Sequence, residues 1–280
     1  MITTSVALLV LLSALMHAGW NFFVKASADR FLDYTGLAVA GAVVAACAIP
    51  WLPLPALPSW PWLATTVFIH VGYYLLLMRA YQHADLSIAY PLMRGSAPVL
   101  VALAAPLAGD VLTPGLLLGI ALVAAGIALP VGIGIRRGGV SRSGLVYGFA
   151  TAGVIALYTI IDGIGARLSG NAVSYAVWLF FLNAWLVLGV ALWQRGRNAL
   201  IHLRRRWLFS VLGSILTMGS YIIVLWAMTV ASIPAVAALR ETSVIFAAAM
   251  GAWLLKERMG RWRIAGAMLV ALGAVAIRWS

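Results

Sequence analysis

The chain has 280 residues, of which 64% are hydrophobic and only 9% charged, and its mean hydropathy is +1.03. A soluble domain carries about 25% charged residues, and so few polar side chains could not cover so apolar a core, which excludes a soluble enzyme. The net charge of +12 does not mark a nucleic-acid binder: the basic residues lie between apolar runs, as charges that orient membrane spans do.

Apolar runs of about 20 residues, each long enough to cross roughly 30 Å of hydrocarbon as a helix, recur along the chain. Dividing at charges, prolines and turn residues predicts ten spans, at about 4–24, 33–50, 60–80, 86–108, 114–135, 144–165, 171–193, 207–229, 233–255 and 261–279. The expected fold class is an all-α membrane protein. The first run lacks a basic leader, so it reads as a span and not as a cleaved signal; His17, Trp20 and Asn21 cluster on it at i, i+3 and i+4. The second holds Cys47, the single cysteine, which leaves no disulfide framework and no Cys/His metal cluster.

In the third span His70, Tyr74 and Tyr81 recur at i, i+4 and i+11, and in the fourth Ser87, Tyr90, Pro91 and Arg94 share one helix face. Pro91, Pro98 and Pro106 are expected to interrupt that span and free carbonyls, with Pro91 and Pro98 as gating kinks or plain packing bends. Gly115 and Gly119 open the fifth span with a close-packing pair. The sixth carries Tyr158 and, near its end, Asp162, a proton site or a solvated interfacial acid. Residues 194–206 form the one extended basic connection. Tyr221 lies in the eighth span, and Arg240 and Glu241 lie in the middle of the ninth. Trp51, Trp60, Trp62, Trp193, Trp207, Trp262 and Trp279 read as interfacial anchors.

A shift of 147 positions lays the third to fifth spans on the eighth to tenth without a gap: Trp60 on Trp207, Gly72 on Gly219, Tyr74 on Tyr221, Asp110 on Glu257, Gly119 on Gly266 and Gly126 on Gly273. The chain thus reads as two repeats, 1–137 and 143–280. Five spans per repeat is an odd number, so the copies cross the membrane in opposite senses, a plan of secondary transporters. Fifteen of the 19 Lys and Arg fall on one side, Arg167 and Arg278 on the other, and Arg94 and Arg240 inside spans. The positive-inside rule places both termini outside the cytoplasm.

Two inverted five-span halves, each with an acid before a glycine-bearing last span (Asp110 before Gly115 and Gly119, Glu257 before Gly266), resemble the EamA-type members of the drug/metabolite transporter superfamily. His17-Ala-Gly-Trp20-Asn21 with Lys25, and Ala84-Asp85-Leu86-Ser87 leading to Tyr90-Pro91-Leu92 and Pro98, are similar to its exporter branch. The resemblance implies a basket of helices around a central cavity and export of small metabolites. In the branch it points to, these are amino acids of broad or aromatic preference. It also implies cytoplasmic termini, the reverse of the charge count.

A charge near the bilayer centre costs on the order of 2.5 to 3.5 kcal/mol even on insertion scales, so each needs a reason. Arg94 is the counterpart of Glu241 under the shift, and residues near a pseudo-two-fold axis can meet, so the two are candidates for an ion pair. Arg240 is then the less committed cation. One of these arginines receives a substrate carboxylate, because the guanidinium fork matches that group and stays charged in a dry site; the alternative is a structural salt bridge locking the halves. His17, Trp20, Asn21, His70, Tyr74, Tyr90, Tyr158 and Tyr221 would line the binding site with rings and polar handles, although interhelical hydrogen bonds account equally well for the histidines.

Enzyme signatures are missing, including HExxH, GxSxG and the P-loop, and Gly132-x-Gly134-x-x-Arg137 lacks the third glycine of a dinucleotide fingerprint. The expectation is a non-enzymatic carrier in the cell inner membrane, without cofactor or metal. It moves an amino acid-like solute by alternating access through a cavity between spans one, three, four, six, eight and nine. Small organic anions such as phosphonates, or hydrophobic drugs, are the alternative solutes, and a channel or membrane enzyme the weaker alternatives. Its partners are the solute and membrane lipid, with no nucleic acid, and a monomer would suffice. Energy comes from the solute gradient or from protons, both of which stay open.

Overall fold

In hydrocarbon every backbone N–H and C=O must find a partner within the chain, which leaves the helix as the solution for apolar runs of this length. The computed structural model describes residues 2–25, 29–83, 86–136, 141–254 and 260–280, and these are helical with no strand among them. In chain order the helices are α1 (Thr4–Lys25), α2 (Arg30–Ala48), α3 (Trp60–His83), α4 (Leu86–Ala104), α5 (Pro114–Arg136) and α6 (Arg142–Leu168), followed by α7 (Ala172–Arg195), α8 (Arg197–Arg205), α9 (Trp207–Val230), α10 (Ile233–Arg240), α11 (Ser243–Leu254) and α12 (Arg261–Trp279). Ten segments are long and apolar enough to cross a membrane, α10 and α11 counting as one and the short basic α8 as none. Polar side chains set three of the starts: Asp29 accepts from Leu32 N–H (3.1 Å), Ser141 from Gly144 N–H (3.1 Å) and Asn171 from Ser174 N–H (3.0 Å).

Helix α5 packs along α12, α3 along α6, α2 along α7, α4 against α5 and α6, and α1 against α9 and α11. Counting five spans to each half, the α3–α6 contact has its counterpart in α9–α1 and the α4–α6 contact in α11–α1, while α2–α7 and α5–α12 each join a helix to its own counterpart. Glycine brings α5 and α12 together. A Cβ on Gly119 would fall 2.9 Å from the carbonyl oxygen of Gly273, and one on Gly126 would fall 2.5 Å from that of Gly266, so only glycine lets the backbones approach this closely. Under the 147-residue shift these two contacts exchange with each other.

Two spans depart from the pattern read in the sequence. Pro91 and Pro98 do not interrupt α4, which continues through both before a 3₁₀ turn at Ala105–Ala108 that holds Pro106. Each proline removes a single N–H, a loss that a helix packed by neighbours tolerates. The break falls in the ninth span, which was expected to be continuous. There the N–H groups of Glu241 and Thr242 bond back three residues, to Ala238 and Leu239 (3.1 Å each), and Thr242 Oγ1 donates to the Leu239 carbonyl (2.7 Å). A hydroxyl competing for a helix carbonyl, with no proline at the break, loosens the α10–α11 junction.

Candidate functional site

The α10–α11 break sets Glu241 against the middle of α4. Arg94 Nε donates to Glu241 Oε2 at 2.9 Å and Arg94 Nη2 lies 2.7 Å from Oε1, with side chains only 7% and 5% exposed. This is the two-point fork of a guanidinium on a carboxylate, and it occupies the only charged residue of α4.

Arg240, one residue earlier, points off toward α1 and α9. Its Nη2 lies 3.4 Å from His17 Nδ1, its guanidinium carbon lies 5.5 Å from the centre of the Tyr221 ring, and its buried Nε has no hydrogen-bond partner among the described residues. Trp20 Nε1 also donates to His17 Nδ1 (3.3 Å), so that nitrogen faces two donors and serves as an acceptor. Asn21 is turned back to its own helix, donating to the His17 carbonyl at 2.8 Å.

On the α6 side, His70 stacks on Tyr158 with ring centres 4.5 Å apart and bonds Thr66 through Nδ1. Tyr221 donates from α9 to Asp162 Oδ2, and Tyr175 donates from α7 to Asp162 Oδ1 at 3.3 Å. Asp162 is therefore not an interfacial acid. Helix α6 runs on to Leu168, and the carboxyl is fully buried. Gly165, one turn further along α6, makes room for this contact: a Cβ there would fall 2.5 Å from Tyr175 Cζ.

Between α4, α6, α9 and α10 lies a void of about 10 Å³ lined in part by Arg94, Pro98, Thr159, Met228, Arg240 and Glu241, on the order of a single water. A pocket enclosing a metabolite-sized ligand measures some 300 Å³ or more, so this void is far too small for one.

Of the residues singled out in the sequence, His17, Trp20, Arg94, Arg240, Glu241 and Tyr221 meet here, and His70 and Tyr158 stack beside them. Pro98 lines the void; Pro91 is not among its lining residues. Tyr74 lies elsewhere, because its hydroxyl reaches the Phe31 carbonyl (3.3 Å) and its ring stacks on Tyr34 against α2. The side chains of Ser87, Tyr90 and Tyr81, together with Ala84, Asp85 and Glu257, fall outside the described residues. The sequence reading missed Tyr175 and the burial of Asp162, although the spacing Tyr158, Asp162, Gly165 marks one face of α6. It also placed Arg167 among the loop charges. Instead Arg167 donates to the carbonyls of Ala108, Met228 and Ala231 and pairs with Asp110 at 2.9 Å, while Asp110 accepts from Ile233 N–H (2.8 Å) at the start of α10.

The comparisons bear on both the fold and the family. A crystal structure of a protein 16% identical in sequence superposes with a TM-score of 0.76 over 98% of both chains, which shows a shared fold. A comparison with curated proteins gives no match. Residues 142–279, covering α6 to α12, match the model of the EamA-like transporter family.

Proposed function

We propose that the protein is a secondary transporter of amino acids or similar small metabolites, exporting or equilibrating them across the cell inner membrane by alternating access of two inverted halves, residues 1–137 and 143–280. The observation that carries this reading is the unequal state of the two central arginines. Arg94 is taken up by Glu241, whereas Arg240, beside His17 and Tyr221, keeps a buried Nε without a partner among the described residues. A guanidinium with an unused donor in a dry site is a receptor for a carboxylate. The rings of Trp20, Tyr158 and Tyr221 offer apolar faces to the rest of an amphipathic solute. The exchange of the Gly119–Gly273 and Gly126–Gly266 contacts under the repeat, and the Arg94–Glu241 pair of mutual counterparts, support two halves that rock about a shared axis. The match to a transporter family over residues 142–279 and the many large apolar side chains left exposed support a membrane carrier over an enzyme.

Uptake and counterflow of a labelled amino acid panel in proteoliposomes test the reading. Saturable exchange that is lost in Arg240→Ala and retained at a reduced level in Arg240→Lys is the expected result. No flux above that of empty vesicles for any amino acid removes the amino acid assignment and leaves small organic anions such as phosphonates, which the same guanidinium accepts.

A further inference from the structure

We infer that Asp162 is the proton-carrying residue of this protein, and that it couples solute movement to a pH gradient through Tyr221; this rests on the transporter reading above. Among the described acids, Asp29 pairs with Arg195, Asp33 with His202 and Arg206, Asp110 with Arg167, and Glu241 with Arg94. Asp162 is fully buried and has no cation within ion-pair distance among the described residues. What holds it are hydroxyls, those of Tyr175 and Tyr221 with that of Thr66 from α3.

That cage suits both states of the acid. As a carboxylate, Asp162 accepts from the two tyrosines. As a carboxylic acid, it accepts on one oxygen and donates through the other to a tyrosine oxygen, the hydroxyl hydrogens rotating to suit. An ion pair has no such freedom, because protonating its acid strands the cation. A proton can therefore bind and leave Asp162 without breaking up its surroundings. The step is simple to balance: an O–H bond forms on Asp162 with a proton from water on one side of the membrane, and the same bond breaks to release a proton on the other side. No electrons are transferred.

The remaining groups around α6 fit this role. From α3, Thr66 bonds the carboxyl and His70 lies close enough to act on it electrostatically; α7 contributes Tyr175, α9 Tyr221, and α6 itself Tyr158 one turn earlier. On α4 the charge is Arg94, and at the α10–α11 junction the charges are Arg240 and Glu241, of which Arg94 and Glu241 are consumed by each other. The 3₁₀ turns at Leu57–Ser59 and Ala105–Ala108, also packed on α6, carry no titratable side chain. Tyr221 is the connection to the solute site, since its hydroxyl bonds Asp162 while its ring lies beneath the Arg240 guanidinium. A change of proton at Asp162 redirects that hydroxyl and moves the surface on which Arg240 rests.

Two measurements decide the proposal. In proteoliposomes given labelled L-phenylalanine in the external buffer, a one-unit pH gradient supports up to about tenfold accumulation per proton exchanged. Asp162→Asn is expected to abolish this accumulation while keeping counterflow, and Asp162→Glu to restore part of it. A wild type with exchange indifferent to the gradient, or an Asp162→Asn variant that still accumulates, overturns the proposal. The second measurement needs no solute. In lipid nanodiscs, the infrared difference between acidic and alkaline protein contains a carboxyl band that is expected to vanish in Asp162→Asn, with a monodisperse elution profile as the check of fold. Identical difference spectra for wild type and variant overturn the proposal. If L-phenylalanine and the rest of the panel fail to move, the amino acid reading falls and the infrared result still decides for or against Asp162.

Discussion

Gly119 and Gly273 touch backbone to backbone across α5 and α12, and Gly126 and Gly266 do the same about two helical turns away. The approach leaves no space for a methyl group. Overpacking a close helix crossing costs about 1 to 3 kcal/mol, so Gly119→Ala and Gly273→Ala each lower the thermal midpoint of the purified protein. Gly153, on α6, has nothing within 4 Å of a Cβ, and Gly153→Ala leaves the midpoint unchanged or raises it slightly. Differential scanning fluorimetry on the three variants checks the contrast.

The Arg94–Glu241 pair makes an asymmetric prediction. Removing one partner strands a buried charge and costs about 3 to 5 kcal/mol, whereas replacing both with apolar residues of similar volume is often close to neutral. Arg94→Met and Glu241→Leu alone therefore fold poorly, and the double variant recovers most of the folded yield. Fluorescence-detected size exclusion of the three proteins reads this directly; a double variant no better than the worse single one argues against a mutually compensating pair.

Arg167 fastens three helix ends at once, donating to carbonyls at the end of the 3₁₀ turn that follows α4, within the last turn of α9 and just beyond it, while holding Asp110 against the start of α10. Each unmet buried acceptor costs about 1 to 3 kcal/mol. Arg167→Ala is expected to lower thermal stability strongly, and Arg167→Lys to recover little, because an ammonium cannot reproduce the planar spread of five donors.

Gly165 and Tyr175 are coupled by contact. A methyl at Gly165 collides with the Tyr175 ring, 2.6 Å from Cε2, and pushes its hydroxyl off Asp162. Gly165→Ala destabilises by about 1 to 3 kcal/mol, and in a Tyr175→Ala background the same change costs much less. A double-mutant cycle on thermal midpoints measures the coupling, and additive effects would contradict the contact.

The ten spans and the all-helical fold were legible because they follow from length and apolarity alone: a run of this kind has no other way to satisfy its backbone in hydrocarbon. Arg94 and Glu241 could be matched beforehand because the repeat shift equals their separation of 147 residues. Tyr74 and Asp162 were harder. Helical spacing shows which residues share a face but not which neighbour that face meets, and Tyr74 turned out to face α2 while Asp162 met two tyrosines from α7 and α9.

The break at Glu241 and Thr242 was equally hidden, since threonine back-bonding leaves no mark as plain as a proline. Composition and periodicity thus determined how many membrane spans there are and which residues are too costly to leave unexplained in a membrane. Which of those residues meet, which cation keeps a free donor, and how small the void beside them is were decided only by the packing of helices distant in sequence. Contacts across such distances depend on side-chain shape and on the placement of small residues, which a local pattern does not encode.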